Sequence, residues 1–217
     1  VTESVCLVGS GPSRKVIPED MDVAALSSGY MFCDSPDLFI TIDKARFFPL
    51  YNRATPVHVP RGQYRAGFNP NESGPCGDFD LMLTLMRKQV DWCPGWADYP
   101  RVKVHETDWD LMPNFEDFDK PIGLGRTMNS IIFAVQLVHR LGYKTIHFAG
   151  CDMQSLNYSR AFLGMEWMYP VAKRAGYEWI VTSPTSKLCE FLPLEVPEGF
   201  IKIERTDDIE SPWSVAG

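Results

Sequence analysis

No run of apolar residues in this sequence approaches the roughly 18 that a helix needs to cross a bilayer. The stretch Val1 to Ser13 also lacks the layout of a secretory signal, so the expectation is a cytoplasmic protein without a membrane span. Cys-x-x-Cys is absent too. Cys6, Cys33, Cys76, Cys93, Cys151 and Cys189 are scattered, which argues for buried reduced thiols and against a cysteine metal site. A basic excess is missing: 21 Lys and Arg stand against 28 Asp and Glu, a formal net charge of −7. Bulk nucleic-acid binding is therefore disfavoured. There is no internal repeat and no low-complexity tract. Asn-x-Ser occurs at Asn71 and Asn157, and without a secretory signal it is read as chance.

What is present is an ordinary globular composition. The 217 residues are 45% hydrophobic and 23% charged, enough for one large or decorated domain covering residues 1–217. The organising stretch is Val5 to Ser13. Four apolar residues read as a short strand buried on both faces, and Gly9, Ser10, Gly11, Pro12 and Ser13 turn the chain sharply after it. A glycine turn at the carboxyl end of a parallel strand can present backbone N–H groups to a phosphate, with Ser10 and Ser13 adding hydroxyls. It is equally readable as a plain tight turn. The third glycine of the dinucleotide fingerprint is replaced by Arg14, and the Lys-Ser/Thr ending of the triphosphate loop is missing.

Further along, Val23–Leu26 and Leu38–Ile42 read as strands, and Val57–Val59 as a weaker one between prolines. Residues 61–78 read as a loop-rich excursion, of the kind that is either a functional lid or disordered. Asp78 is a plausible N-cap, with Phe79, Met82, Leu83, Met86 and Val90 at helical spacing. Val102–Val104 suggests another strand, and Asp108–Asp119 an acidic, aromatic loop. Gly123 to Thr127 makes a second glycine turn. It leads into a helix from Met128 to Leu141 that is apolar nearly all round and closed by Gly142. Thr145–Ala149 is then a strand ending in Gly150, Cys151 and Asp152. Ser159–Ala175 reads as helical but interrupted at Pro170. Glu178–Val181 follows as a strand, Ser183–Ser186 as a hydroxyl-rich turn and Phe200–Glu204 as an edge strand. The fold class this implies is α/β: a Rossmann-like, mostly parallel sheet with helices on both faces and a loop-rich insertion.

Taken in order, the first turn, Ile42-Asp43, Gly125 to Ser130, Gly150 to Asp152 and Ser183-Pro184-x-Ser186 resemble a known superfamily. It joins bacterial monofunctional sialyltransferases to motility accessory factor proteins and archaeal 6-hydroxymethylpterin diphosphokinases. The resemblance implies a nucleotide or nucleotide-sugar bound at the carboxyl edge of the sheet and a glycosyltransferase-like activity toward an unidentified acceptor. It places Ser10 where sialyltransferases carry an asparagine, and Ser27 or Ser28 and Asp43 at the polar positions after the second and third strands. Ser130, with Asn129 beside it, matches the serine at the amino end of the buried helix. Those sialyltransferases use a histidine late in the chain as general base; here the 4 histidines are His58, His105, His139 and His147.

The catalytic candidates are Asp43, Asp152 and His58. Asp43 at a strand end suits a ribose contact, a magnesium ion held through nucleotide phosphates, or a helix cap. Asp152 suits the same roles or the amides of its own turn. His58 and His105 follow short strands and suit acid–base work or structure, whereas His139 and His147 read as packing residues. The nucleotide-binding candidates are Gly9, Ser10, Gly11, Pro12, Ser13, Ser27, Ser28, Gly125, Arg126, Thr127, Asn129 and Ser130. Arg126 reads as a phosphate clamp or as a solvated surface group. Trp92, Trp96 and Trp109 suit sugar stacking or lid packing. No cofactor follows from the sequence except magnesium, should Asp43 and Asp152 converge. Two readings of other kinds stand beside the transferase: a non-catalytic nucleotide- or metabolite-binding module, and a magnesium-dependent pyrophosphoryl transferase.

Overall fold

The computed structural model describes residues 3–15, 18, 21–33, 36–41, 81–84, 102–104, 107–108, 110–126 and 129–197. Seven strands form one sheet: β1 (Ser4–Val8), β2 (Asp22–Leu26), β3 (Leu38–Thr41), β4 (Leu81–Thr84), β5 (Val102–Val104), β8 (Thr145–Ala149) and β9 (Glu178–Val181). Their order is β5-β4-β3-β2-β1-β8-β9. Every pairing is parallel. A separate two-stranded ladder joins β6 (Thr107–Asp108) to β7 (Ile122–Gly123).

Strand β1 is central because its sequence has no polar face. Val5 and Leu7 enter the main core, while Cys6 and Val8 point to the opposite face and are equally buried. Burying each of Val5 and Leu7 stabilises the fold by about 1.5–3 kcal/mol. On the core face lie α1 (Ser130–Arg140) and α2 (Ser159–Arg174), which touch one another. Every residue of α1 from Ile131 to His139 is buried, as an all-round apolar helix requires. Its C-terminus passes through Gly142, at φ +103°, into β8. The N-terminus of α1 therefore faces the carboxyl edge of the sheet. Buried Gln136 donates to the carbonyls of Gly123 and Ile132, each at 2.8 Å, and accepts from the amide of Asn114 at 3.1 Å. Arg140 adds a bond to the carbonyl of Phe118, so the acidic loop is pinned to α1.

The expected strands β1, β2, β3, β5, β8 and β9 are present, as is the helix before β8. Two readings are corrected. Leu81–Thr84 is a strand rather than part of a helix beginning at Asp78. It pairs on both sides, with Leu38–Thr41 and with Val102–Val104, and those ladders outweigh an apolar spacing that fits a helix over so short a run. Pro170 does not interrupt α2, which runs continuously through it. Pro170 and Glu166 are both exposed, so water can reach the carbonyl that the proline leaves unbonded. The readings at 57–59, 61–78 and 200–204 lie outside the described residues. Cys6, Cys33 and Cys151 are buried free thiols, as expected, and Cys189 is also free. Among the described residues no helix is long and apolar enough to cross a membrane.

Candidate functional site

The strand order reverses direction between β1 and β8: the chain builds outward from β1 to β5, then returns to place β8 and β9 on the other side. In an open parallel sheet a crevice forms at the carboxyl ends of such a strand pair. Among the described residues, the turns after β1, β2, β8 and β9 and the approach to α1 reach that edge.

The turns after β1 and β8 are locked together. Gly9 N–H donates to the carbonyl of Ala149 at 2.8 Å, and Gly11 N–H to that of Gly150 at 2.7 Å. Ser13 N–H donates to Asp152 Oδ2 at 3.0 Å, while Ser13 Oγ accepts from Gly150 N–H at 2.9 Å. The backbones approach so closely that a Cβ on Gly11 would collide with the Asp152 carboxylate, and one on Gly150 with the carbonyl of Gly9. The glycines are thus required by contact between two turns. The amides of Gly9 and Gly11, expected to be open toward a phosphate, are spent on β8 and its turn. Ser10 remains exposed, Pro12 opens a short 3₁₀ helix, and Ser13 is buried.

Asp152 is 4% exposed, and its Oδ1 has no hydrogen-bond partner among the described residues. Burial raises its pKa, opposed by the bonds from Ser13 and the charge of Arg14. It satisfies an amide of the first turn rather than of its own. Arg14, unremarked in the sequence except as a missing glycine, donates from Nη1 to the carbonyls of Ser10 at 3.3 Å and Gly11 at 3.1 Å. Its guanidinium lies 3.9 Å from the Phe32 ring centroid, which ties the first turn to the 3₁₀ helix Ser27–Phe32 after β2. The late Ser183–Ser186 turn joins the same edge. Ser186 Oγ donates to the carbonyl of Cys151 at 3.2 Å, and Lys187 N–H to that of Asp152 at 2.9 Å.

A second group forms at the N-terminus of α1. Ser27, at φ +47°, and Ser130 place their hydroxyl oxygens 3.1 Å apart, although they are 103 positions distant in sequence. Asn129 is the N-cap, its side chain accepting from Ile131 N–H at 3.0 Å. The first turn of α1 holds no acidic residue, so its positive end has no countercharge from within that turn. Gly125 and Arg126 both have positive φ, +53° and +59°. Arg126 pairs with Asp110 at 2.8 Å on an open surface, both side chains being more than two-thirds exposed (77% and 69%). Of Ser28 only the backbone is described, in the 3₁₀ helix. Asp43, His58, His105 and Thr127 lie outside the described residues.

Of the two described histidines, His139 is committed to the core. His139 is 1% exposed; its Nδ1 lies 2.8 Å from the carbonyl of Tyr143, and its Nε2 accepts from Trp179 Nε1–H at 2.8 Å. That pairing fixes the neutral Nδ1–H tautomer, and burial lowers the pKa to about 4. His147, half-buried on β8, is also shifted down by burial. Among the described residues no three His, Cys, Asp or Glu side chains group together as a metal site.

No protein-family model matches the chain, and no curated protein matches it. Among solved structures it is similar to the sialyltransferase CstII from Campylobacter jejuni in complex with a substrate analogue, cytidine-5'-monophosphate. That match has 17% identity and a TM-score of 0.52, covering 88% of this chain and 84% of that one. It is also similar to the monofunctional alpha-2,3-sialyltransferase Cst-I from Campylobacter jejuni, at 13% identity and a TM-score of 0.54, covering 90% of this chain and 81% of that one. At these identities the likeness establishes the architecture alone: the chain has a sialyltransferase-like α/β fold.

Proposed function

We propose that this chain binds a nucleotide or nucleotide-sugar over the junction of β1 and β8 and acts as a glycosyltransferase-like transferase. The observation that carries the reading is the convergence of the turns after β1, β2 and β8 with the N-terminus of α1 at the point where the sheet reverses direction. The fold likeness to two sialyltransferases, one solved with cytidine-5'-monophosphate, supports it. In this reading Ser10 and the Ser27–Ser130 pair supply hydroxyl contacts, and the uncompensated N-terminus of α1 favours the donor phosphate. Asp152 holds the first turn in shape from below. Charge stabilisation of the departing nucleotide at these helix and turn ends would supply much of the rate. Asp43 and His58 are the proposed groups for the chemical step, and magnesium enters only if Asp43 stands with Asp152.

A non-catalytic nucleotide-binding module is the second reading, and one observation favours it. No histidine follows His147, and both nitrogens of His139 are committed to core partners. A thermal-shift screen with CMP, UDP, GDP, ATP and their sugar conjugates, with and without magnesium, tests both readings. Stabilisation by a nucleotide-sugar followed by release of free nucleotide supports the transferase. Stabilisation with no release over hours puts the module in its place, and no stabilisation by any of them rejects both.

A further inference from the structure

The anion donors suggested by the sequence are largely committed elsewhere. The N–H groups of Gly9, Gly11, Ser13 and Arg14 are all bonded within the protein. Arg126 is paired with Asp110. A phosphate over the first turn would also meet the field of the buried Asp152 carboxylate, which contacts Gly11 closely. Without a compensating cation that arrangement repels an anion.

Arg14 stands at this point. Nη1 alone holds the carbonyls of Ser10 and Gly11. Nε and Nη2 have no partner among the described residues, and the Arg14 side chain is only part-buried. The plane of the guanidinium is held by Phe32, so little side-chain freedom remains to be lost when a ligand arrives. A guanidinium with two free donors in a fixed plane matches a phosphate group.

We propose that Arg14 is the phosphate-binding cation of this site: Nη1 shapes the first turn while Nε and Nη2 donate to the phosphate of a bound nucleotide. The proposal rests on the nucleotide-binding reading above. Its test uses isothermal titration of the whole chain with each nucleoside monophosphate and the matching nucleoside: CMP and cytidine, UMP and uridine, GMP and guanosine, AMP and adenosine. The wild type should prefer one monophosphate over its nucleoside by about tenfold to a hundredfold, as charge-assisted hydrogen bonds allow. Arg14→Gln should remove that preference while leaving nucleoside affinity within about twofold, and Arg14→Lys should restore part of it.

An unchanged phosphate preference in Arg14→Gln overturns the assignment and leaves the nucleotide reading standing. Equal weakening of monophosphate and nucleoside overturns it too, since that marks a purely structural residue. If the wild type binds no member of any pair, both readings fall. Should Arg14→Gln not fold, the wild type still decides. The Arg14 Nε–H cross-peak, assigned through its loss in Arg14→Lys, should move with the monophosphate and stay in place with the nucleoside; a peak that ignores the monophosphate rejects the proposal.

Discussion

The two glycine-bearing turns at the carboxyl edge look alike in sequence and differ in almost every physical respect. The turn after β1 is closed. The amides of Gly9, Gly11 and Ser13 are bonded to β8 and its turn, Ser13 and Asp152 are buried, and its glycines exist because the β8 turn passes too close for a Cβ. The turn before α1 is open. Arg126 and Asp110 pair in solvent, and Gly125 is needed for its positive φ rather than for a close neighbour. A glycine after a parallel strand therefore does not by itself mark a backbone surface offered to a ligand. In the first turn the surface left for a ligand is made by side chains, Ser10 and Arg14.

Four substitutions break or sharpen that contrast. Gly11→Val should have the largest effect, because its side chain enters the space of Asp152 and of the Gly150 carbonyl. A stability loss of about 3 kcal/mol, the top of the usual range for overpacking, is expected in urea unfolding. A valine variant as stable as the wild type would mean that the two turns separate freely. Asp152→Asn comes next and is read through pH. Burial raises the folded-state pKa of Asp152, so the folded state holds the proton more tightly than the unfolded state does. Its unfavourable contribution should be absent below the unfolded pKa, grow as pH rises through the folded pKa, and stay level above it. The asparagine variant should gain on the wild type across that window, and parallel pH profiles would contradict the assigned burial effect.

Ser130→Ala should leave unfolding nearly unchanged and weaken nucleotide binding by about 0.5–1.5 kcal/mol, one neutral hydrogen bond, measured by titration calorimetry. A loss of stability larger than the loss of affinity would make the Ser27–Ser130 pair a fold element instead. Arg126→Ala should do least. An exposed ion pair contributes about 0–1 kcal/mol, so both unfolding midpoint and nucleotide affinity should stay close to wild type. A large affinity loss would return Arg126 to the role of phosphate clamp.

The legible part of this chain is the part governed by local pattern. The run Val5–Val8 has no polar face, so a doubly buried parallel strand is the only place for it. Gly142 marks the end of α1 by local chemistry, whereas the Asn129 cap that starts the helix at Ser130 is not legible in a sequence whose apolar stripe already begins at Met128. Leu81–Thr84 was misread because four residues carry too little periodicity to separate strand from helix; ladders on both sides decide it. The engagement of the Gly9 and Gly11 amides was illegible for another reason: the acceptors belong to Ala149 and Gly150, far along the chain. Arg14 escaped because its significance depends on Phe32 and on the carbonyls behind it, none of which forms a motif with it.

The lock between the first and the eighth strand also sets an order of events during synthesis. The bonds from Ser13 to Asp152 and from Gly150 to Ser13 span 139 and 137 positions. A nascent chain that has emerged only as far as β5 can pair β1 with β2, but it has no acceptors for the turn that follows β1. Closing so long a loop is slow relative to local structure, and the ordering entropy is spent before the contacts form. Strand β1, which precedes the other six strands of its sheet in chain order, is thus among the last to be completed, and a chain ending before Thr145 would expose the Gly9 and Gly11 amides and the free edge of β1 to whatever strand came near.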